Sequence, residues 1–166
     1  MSIVQALLPE FDHEMSVTRV MLAAVPGAHA DWQPHAKSMS LGRLAAHLAN
    51  MAAWAVATLQ QDELDLASPG VATQPPFEST AATLERFDAL VKTSRVALAA
   101  LPDAALQAPW TLKQSGQTLL TMPRGGVFRT WVISHMIHHR GQLSVYLRLL
   151  DVPVPAVYGP TADTAV

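Results

Sequence analysis

Four segments of the chain carry apolar side chains at intervals of three and four residues, a spacing that places them on one face of an α-helix. The segments run from Ile3 to about Val25, from Leu41 to about Gln61, from an N-cap at Ser79 or Thr80 to about Leu101, and from Pro123 to about Leu150. Such a face must be buried against another element. The pattern therefore predicts an all-α fold, a four-helix bundle, with a short irregular or hairpin segment before the last helix.

The overall composition agrees with packed helices. The chain has 166 residues, of which 50% are hydrophobic and 6% aromatic, and alanine and leucine are abundant. Alanine and leucine favour helices, whereas strands favour β-branched and aromatic residues. A chain of this length can bury a substantial core, so residues 1–166 are expected to form a single domain.

Proline, glycine and capping residues predict where the elements end. Pro9 is tolerated only in a first turn, so the first regular helix is expected to begin near it. Ser40 is a suitable N-cap for the second helix. The Pro-rich stretch from Gln61 to Ser79 is long for a loop within a compact domain and is expected to be a functional loop or a crossover. Two short extended runs around Ser115-Gly116 predict a small hairpin or an irregular flap.

Charge and cysteine content argue against several classes of function. The formal net charge is −2, and the 11 Lys and Arg residues form no basic run, so nucleic-acid binding is not expected. Without cysteine the chain has no thiolate metal site and no thiol nucleophile, so sulfur chemistry would need a thiol from the substrate or a cofactor. The first residues lack a basic, cleavable leader and no run of about 18 apolar residues exists. We therefore expect no membrane partner and a cytoplasmic location.

Three of the seven histidines fall within five residues of the fourth helical segment, at His135, His138 and His139. On a helix, His135 and His139 lie one turn apart on one face, with Cβ atoms about 5–6 Å apart, so both rings can bind one ion. His138 lies about 100° from His139 around the axis and is expected to stay outside the ligand set. The alternative is that these are hydrogen-bonded core histidines. Gly141 interrupts the same helix, which suggests a close approach of another backbone or of a ligand.

A pair of histidines needs further ligands from elsewhere in the chain. His47 lies on the flank of the second apolar stripe and is the preferred third ligand, although a histidine at such a position is commonly a hydrogen-bonded core residue. The loop histidines His29 and His35 are further candidates. A general base could come from Glu10 or Glu14 of the first helix or from a loop histidine, and no catalytic residue is assigned.

Three neutral imidazoles leave the charge of a divalent metal ion uncompensated and its remaining positions open. An open position is typical of a catalytic site rather than a closed structural one. Such an ion lowers the pKa of a bound water, or holds a substrate thiolate or oxyanion. Imidazole suits several metals. Zinc or nickel is the preferred ion, with iron or manganese as alternatives, and no organic cofactor is predicted.

The chain resembles the DinB family in three motifs. They are His35-Ala-Lys-Ser-Met-Ser-Leu-Gly-Arg-Leu-Ala-Ala-His47, His135-Met-Ile-His-His139-Arg-Gly-Gln-Leu and the tail Val152-Pro-Val-Pro-Ala-Val-Tyr-Gly-Pro. The resemblance covers nearly the whole chain. It implies a helical bundle of up-down-down-up order, with one divalent ion held by His47, His135 and His139. It also implies a homodimer and a relationship to enzymes that use low-molecular-weight thiols such as bacillithiol or mycothiol.

These features predict a metal-dependent enzyme that transfers a thiol to an electrophile or hydrolyses a small-molecule substrate. The alternative is a non-catalytic, stress-related binding or dimerising protein whose metal ion is structural or vestigial. The two differ in whether the metal-loaded protein turns over a substrate.

Overall fold

The computed structural model describes residues 2–71 and 74–164. Along the chain the elements are α1 (Ile3–Ala23), a 3₁₀ turn (Gly27–His29), α2 (Leu41–Gln60), β1 (Glu63–Asp65), α3 (Thr80–Ala100), α4 (Asp103–Gln107), β2 (Pro109–Gln114), β3 (Gln117–Pro123), α5 (Arg124–Val127), a π-helical stretch (Phe128–Ser134) and α6 (His135–Leu149). The last three follow one another without a break. They form one long helical segment, which carries His135 and His139.

Helix α1 begins at Ile3, ahead of Pro9, so the predicted start near Pro9 is wrong. The reason is a strong N-terminal cap. Ser2 and Gln5 form a capping box, in which the Ser2 hydroxyl accepts from the Gln5 backbone N–H at 3.1 Å. The Asp103 carboxylate, at the start of α4, accepts from the Ile3 backbone N–H at 2.8 Å. These contacts hold the first turn in place, so the proline inside the helix does not determine where it begins.

Helices α1 and α2 each pack against α3 and α6. Two surface ion pairs show that α1 and α3 are antiparallel, since Asp12 pairs with Arg95 and Arg19 pairs with Asp88. The core between the helices is apolar, and its large buried members include Phe11, Met21, Leu22, Leu41, Leu44, Leu48, Met51, Phe87, Leu98 and Phe128. Within residues 2–71 and 74–164, none of the helices has the length and apolar character needed to cross a membrane.

A three-stranded sheet lies beside the helices, so the prediction of an all-α four-helix bundle is wrong as a fold class. Strand β1 pairs in parallel with β2, which pairs antiparallel with β3 to form the hairpin expected around Ser115-Gly116. Strand β1 is too short to show a period of two, and its partner lies far away in the sequence. Its central residue is nevertheless buried, because Leu64 packs with Trp110 and Leu112 in a second apolar cluster.

The Asp65 carboxylate fastens the hairpin turn to β1. Ser115 and Gly116 both have positive φ, of 51° and 79°, as the two-residue type I′ turn requires. Their backbone N–H groups donate to the carboxylate at 2.9 and 2.6 Å. The Pro-rich crossing between α2 and α3 therefore contains a strand, and the end of that strand anchors the hairpin.

The π-helical stretch changes which residues of the last helical segment face the core. A π-helix closes its hydrogen bonds over five residues rather than four, so Ile133 joins Val132 on the buried face that follows Phe128. Val132 and Ile133 are buried, whereas Trp131 is 37% exposed, although the α-helical period places it inward. That inward assignment is wrong. π-Helical turns are frequent at functional sites, and this one leads directly into His135.

A buried ion pair joins the first helix, the last helix and the C-terminal tail. Arg140 and Glu14 are 3% and 6% exposed, and the guanidinium donates to the carboxylate at 2.6 Å. Arg140 also donates to the Thr18 hydroxyl at 3.0 Å, and the Tyr158 hydroxyl donates to Glu14 at 2.8 Å. Buried charges need such additional partners. The extended tail lies back across the helices because Tyr158 finds its partner on α1.

Two helical glycines give opposite expectations for alanine substitution. No heavy atom of the described chain lies within 4 Å of a Cβ built on Gly141, so another backbone does not approach closely there. Gly141→Ala should raise the free energy of unfolding by about 1 kcal/mol, because alanine has the higher helix propensity. A Cβ on Gly42 would lie 3.1 Å from side-chain atoms of Ala30 and Phe77. Gly42→Ala should lower the free energy of unfolding by about 1 kcal/mol through overpacking.

Urea unfolding followed by circular dichroism measures both glycine variants against the wild-type protein. Each variant serves as the control for the other, since both replace a helical glycine with the same residue. Equal stabilisation by the two substitutions would contradict the close packing at Gly42.

Candidate metal centre

Helices α2 and α6 bring the three predicted ligands together. His47 is on α2, and His135 and His139 are one turn apart on α6. The Nε2 atom of His139 lies 2.8 Å from Nε2 of His135 and 3.1 Å from Nε2 of His47. One ligand atom from each ring lies within 4.8 Å of the others, so the three histidines could bind a single metal ion.

Glutamine side chains hold the outer nitrogens of two of these rings. Nδ1 of His139 lies 2.7 Å from Oε1 of Gln142, and Nδ1 of His47 lies 3.1 Å from Oε1 of Gln74. The Gln74 amide nitrogen donates to the Arg43 backbone carbonyl at 3.0 Å, which fixes the end of the amide that faces His47. Because an amide oxygen only accepts, Nδ1 of His47 carries the proton.

The resulting tautomer leaves unprotonated nitrogens facing each other. With its proton on Nδ1, His47 directs an Nε2 lone pair toward His139. The same holds for His139, because Oε1 of Gln142 accepts from its Nδ1. The lone pairs of His47 and His139, at a separation of 3.1 Å, repel each other unless a cation or a proton lies between them. The orientation of the rings therefore suits a cation.

Burial keeps the three imidazoles neutral. It lowers the pKa of His139 to about 4, and it lowers the pKa values of His47 and His135 below the usual value for histidine. The charge of the Arg43 guanidinium further lowers the pKa of His47. A hydrogen bond to the Trp131 backbone partly opposes this effect at His135, because it raises the pKa of that ring. At neutral pH the rings are in the uncharged form that binds a metal ion.

The spacing of the nitrogens also fits a divalent cation. Zinc binds imidazole nitrogen at about 2.0–2.1 Å, so tetrahedral ligation places ligand nitrogens roughly 3.3 Å apart. The two Nε2 separations that involve His139, of 2.8 and 3.1 Å, need to widen only slightly to reach that spacing, and all three nitrogens lie within 4.8 Å of one another. Imidazole ligands suit zinc, nickel, copper and iron, so the donor atoms do not select one metal.

The other candidate histidines lie outside this cluster. His138 is exposed, and its ring centroid lies 4.9 Å from that of His139, but it contributes no atom to the three-histidine cluster. His29 and His35 are exposed in the segment between α1 and α2. The Nδ1 atom of His35 accepts from the Lys37 backbone N–H at 3.1 Å, a local contact within that segment.

Each carboxylate considered as a general base is held by an arginine. Glu14 is buried against Arg140 and Tyr158, in the ion pair that joins α1, α6 and the tail. Glu10 accepts from the Arg129 guanidinium at 2.8 Å. Over the part of the chain that the structure describes, the metal-ligating cluster consists of histidines alone.

The two glutamines are the residues that sequence reasoning does not identify as part of the site. Gln142 follows His139 by three residues, so it lies on the same helical face, and this spacing is the signal that could have found it. Gln74 lies in the Pro-rich crossing, among other polar residues. Its contact with His47 arises from the tertiary fold, and no local pattern predicts it.

The fold and the converging imidazoles define a mainly helical protein with a site suited to a divalent cation. The sequence model of the DinB family matches residues 1–165, and the chain belongs to the DinB family. The resemblance seen in the three sequence motifs is thereby confirmed.

Two solved structures share the fold. A DinB-like protein of Bacillus subtilis, YjoA, is 18% identical with a TM-score of 0.70, and the match covers 92% of this chain and 96% of that chain. A DinB-like protein of Bacillus cereus ATCC 10987 is 22% identical with a TM-score of 0.70, covering 95% and 98% of the two chains. Identities this low establish the fold alone. Among curated proteins, the uncharacterized protein YrdA of Bacillus subtilis (strain 168) is 40% identical over 42 residues, which span 25% of each chain.

Removal of the hydrogen bond to a ligand ring should weaken metal binding. Gln142→Ala leaves His139 free to rotate and to change tautomer, so we expect metal affinity to fall by about 10–100-fold. Competition with a chromophoric chelator measures the change. His138→Ala is the matched control, because His138 is adjacent to His139 but outside the cluster. An equal loss in both variants would contradict the role assigned to Gln142.

Glu14→Gln should affect stability and not the metal site. The substitution leaves the buried Arg140 guanidinium without its counter-charge, so we expect the free energy of unfolding to fall by about 3 kcal/mol. Metal content of the folded variant should equal that of the wild-type protein. Urea unfolding and elemental analysis of the same sample check both points. Loss of metal without loss of stability would place Glu14 at the metal centre instead.

Proposed function

We propose that the protein is a divalent-metal-dependent enzyme that acts on a small molecule, as a thiol transferase or as a hydrolase. The observation that carries the proposal is the convergence of the Nε2 atoms of His47, His135 and His139. Three protein ligands leave a four-coordinate ion one position for water or substrate, which is the arrangement of catalytic sites. The described residues add no fourth side chain to this cluster.

The protein's own residues have two tasks in this proposal. His47, His135 and His139 hold the ion, while Gln74 and Gln142 keep the outer nitrogens protonated so that the inner ones can bind. A divalent cation bound there supplies Lewis-acid chemistry and lowers the pKa of a bound water or thiol. Because the chain has no cysteine, the thiol of a transfer reaction must arrive with the substrate.

The proposal also includes the metal, the partners and the cellular setting. The proposed ion is zinc or nickel, with iron or manganese as alternatives. Imidazole ligands are compatible with zinc, nickel and iron and do not choose among them. The preferred co-substrate is a low-molecular-weight thiol. A homodimer is supported by Val145 and Leu149, which are 55% and 57% exposed and lie one turn apart on α6. A cytoplasmic location is supported by the absence of cysteine, since disulfides are typical of oxidising compartments.

Metal analysis of the purified protein tests the site. We expect about one equivalent of a divalent metal per chain in the wild-type protein. His47→Ala, His135→Ala and His139→Ala should each reduce metal affinity by more than about 100-fold, which exceeds the effect of losing a supporting hydrogen bond. His35→Ala, which removes an exposed loop histidine, is the matched control and should retain the metal.

Turnover distinguishes a catalytic ion from a structural one. The metal-loaded protein is assayed with pairs of a thiol and an electrophile and with small ester and amide substrates, before and after chelation. Turnover that requires the metal supports the proposal. A large fall in melting temperature on chelation, with no turnover in any metal-loaded sample, would favour a structural ion. Protein that carries no stoichiometric metal, with histidine variants that behave like the wild type, would overturn the proposal.

A further inference from the structure

A cavity of about 730 Å³ lies against the N-terminal half of α2, and one of the residues that line it, Gln74, contacts His47 of the three-histidine cluster. One wall is α2, and the facing wall is the part of the crossing from Gln74 to Phe77. Gln74 belongs to both sites, because its side chain lines the cavity and also accepts from Nδ1 of His47. A cavity of this size accommodates a small organic molecule.

An arginine on the α2 wall, Arg43, has no counter-charge among residues 2–71 and 74–164. Seven of the eight arginines make side-chain hydrogen bonds, namely Arg19, Arg86, Arg95, Arg124, Arg129, Arg140 and Arg148. The guanidinium of Arg43 makes neither a hydrogen bond nor an ion pair with any described residue, and it is exposed at the cavity. Arg43 lies one helical turn before His47, so both side chains project from the same face of α2.

The capacity of this wall to bind an anion rests on the Arg43 side chain and not on the start of the helix. The backbone N–H groups of Leu41 and Gly42 donate to carbonyl groups of the preceding loop, each at 2.8 Å. The backbone N–H of Arg43 donates to the Ser40 hydroxyl at 3.3 Å. The donors of the first turn are therefore occupied. A guanidinium without a partner, by contrast, can bind a carboxylate through two parallel hydrogen bonds.

A carboxylate lies at the same cavity. Asp31 is exposed, lines the cavity from the loop before α2, and pairs with no cation in the described part of the chain. Arg43 and Asp31 thus line the same cavity with opposite charges, and they form no ion pair with each other. A ligand with both charges complements them, whereas a doubly negative group such as phosphate meets repulsion from Asp31. Pro75, Pro76 and Phe77 supply an apolar wall for the hydrocarbon part of the ligand.

We propose that this cavity binds the non-reacting end of the substrate, and that the substrate is a small zwitterionic acid. Its carboxylate pairs with Arg43, its ammonium group pairs with Asp31, and its reacting group extends past Gln74 toward the three histidines. The position of the reacting group rests on the proposed function. The recognition of the two charges does not require the metal.

Three probes of matched chain length test the charge recognition. 4-Aminobutyrate carries both charges, butyrate carries only the carboxylate, and butylamine carries only the ammonium group. Titration of the isotope-labelled protein, followed by the chemical shifts of its backbone amides, gives a dissociation constant for each probe. We expect saturable shifts at Ala30, Asp31, Gly42 and Arg43, and tighter binding of 4-aminobutyrate than of either singly charged probe.

Charge-removing variants assign each half of the ligand to its partner. Arg43→Gln should raise the dissociation constants of 4-aminobutyrate and butyrate about tenfold, since a hydrogen bond to a charged group is lost. The dissociation constant of butylamine should not change. Asp31→Asn should raise the dissociation constants of 4-aminobutyrate and butylamine by a similar factor, without weakening the binding of butyrate. Lys92→Gln removes one positive charge from the exposed surface of α3, outside the cavity. It should change none of the three dissociation constants.

Several results would overturn the inference. They are the absence of saturable shifts in the wild-type protein, equal binding of butyrate and 4-aminobutyrate, and equal effects of Arg43→Gln and Lys92→Gln. Metal analysis of the same samples separates this inference from the proposed function. Probe binding that depends on Arg43 and Asp31 in a protein that binds no metal would refute the proposed function alone. Stoichiometric metal without any probe response would refute the inference alone.

Discussion

The burial of one stripe of α6 against α2 is the contact on which the rest of the structure depends. Met136, Leu143 and Leu147 have no exposed surface and belong to the same apolar core as the inward face of α2. Burial of each such side chain contributes about 1.5–3 kcal/mol. Because this contact holds the two helices side by side, His47 and His139 meet although they are separated by 92 residues in the chain. The imidazoles need not attract one another to stay together.

The spacing of apolar residues predicts those parts of the fold whose structure depends on neighbouring residues in the sequence. The long helices and the His135/His139 pair follow from the three-to-four spacing, which the chain repeats over many turns. Strand β1 has no such repeat, and it exists because Leu64 finds Trp110 and Leu112 across the fold. The exposure of Trp131 results from π-helical hydrogen bonding, which a fixed period of 3.6 residues does not represent.

The candidate site shows the same division between local and tertiary information. The spacing within α6 predicts which two histidines share a face, and the flank of the α2 stripe suggests His47. The contact of Gln74 with His47 depends on how the Pro-rich crossing folds back onto α2. That crossing has a double role, since it supports a histidine ring on one side and forms the wall of a cavity on the other. A change in the crossing would therefore alter both the imidazole tautomer and the shape of the space beside it.

The buried ion pair between Glu14 and Arg140 has a consequence for synthesis on the ribosome. Helix α1 is synthesised before α6, so the arginine that neutralises Glu14 follows 126 residues later, and Tyr158 follows after that. Burial of a carboxylate without its counter-charge is strongly unfavourable. Helix α1 therefore reaches its final packing around Glu14 only after α6 has been synthesised. The part of the α1 face that packs against α6 therefore stays uncovered in the nascent chain until α6 has left the ribosome.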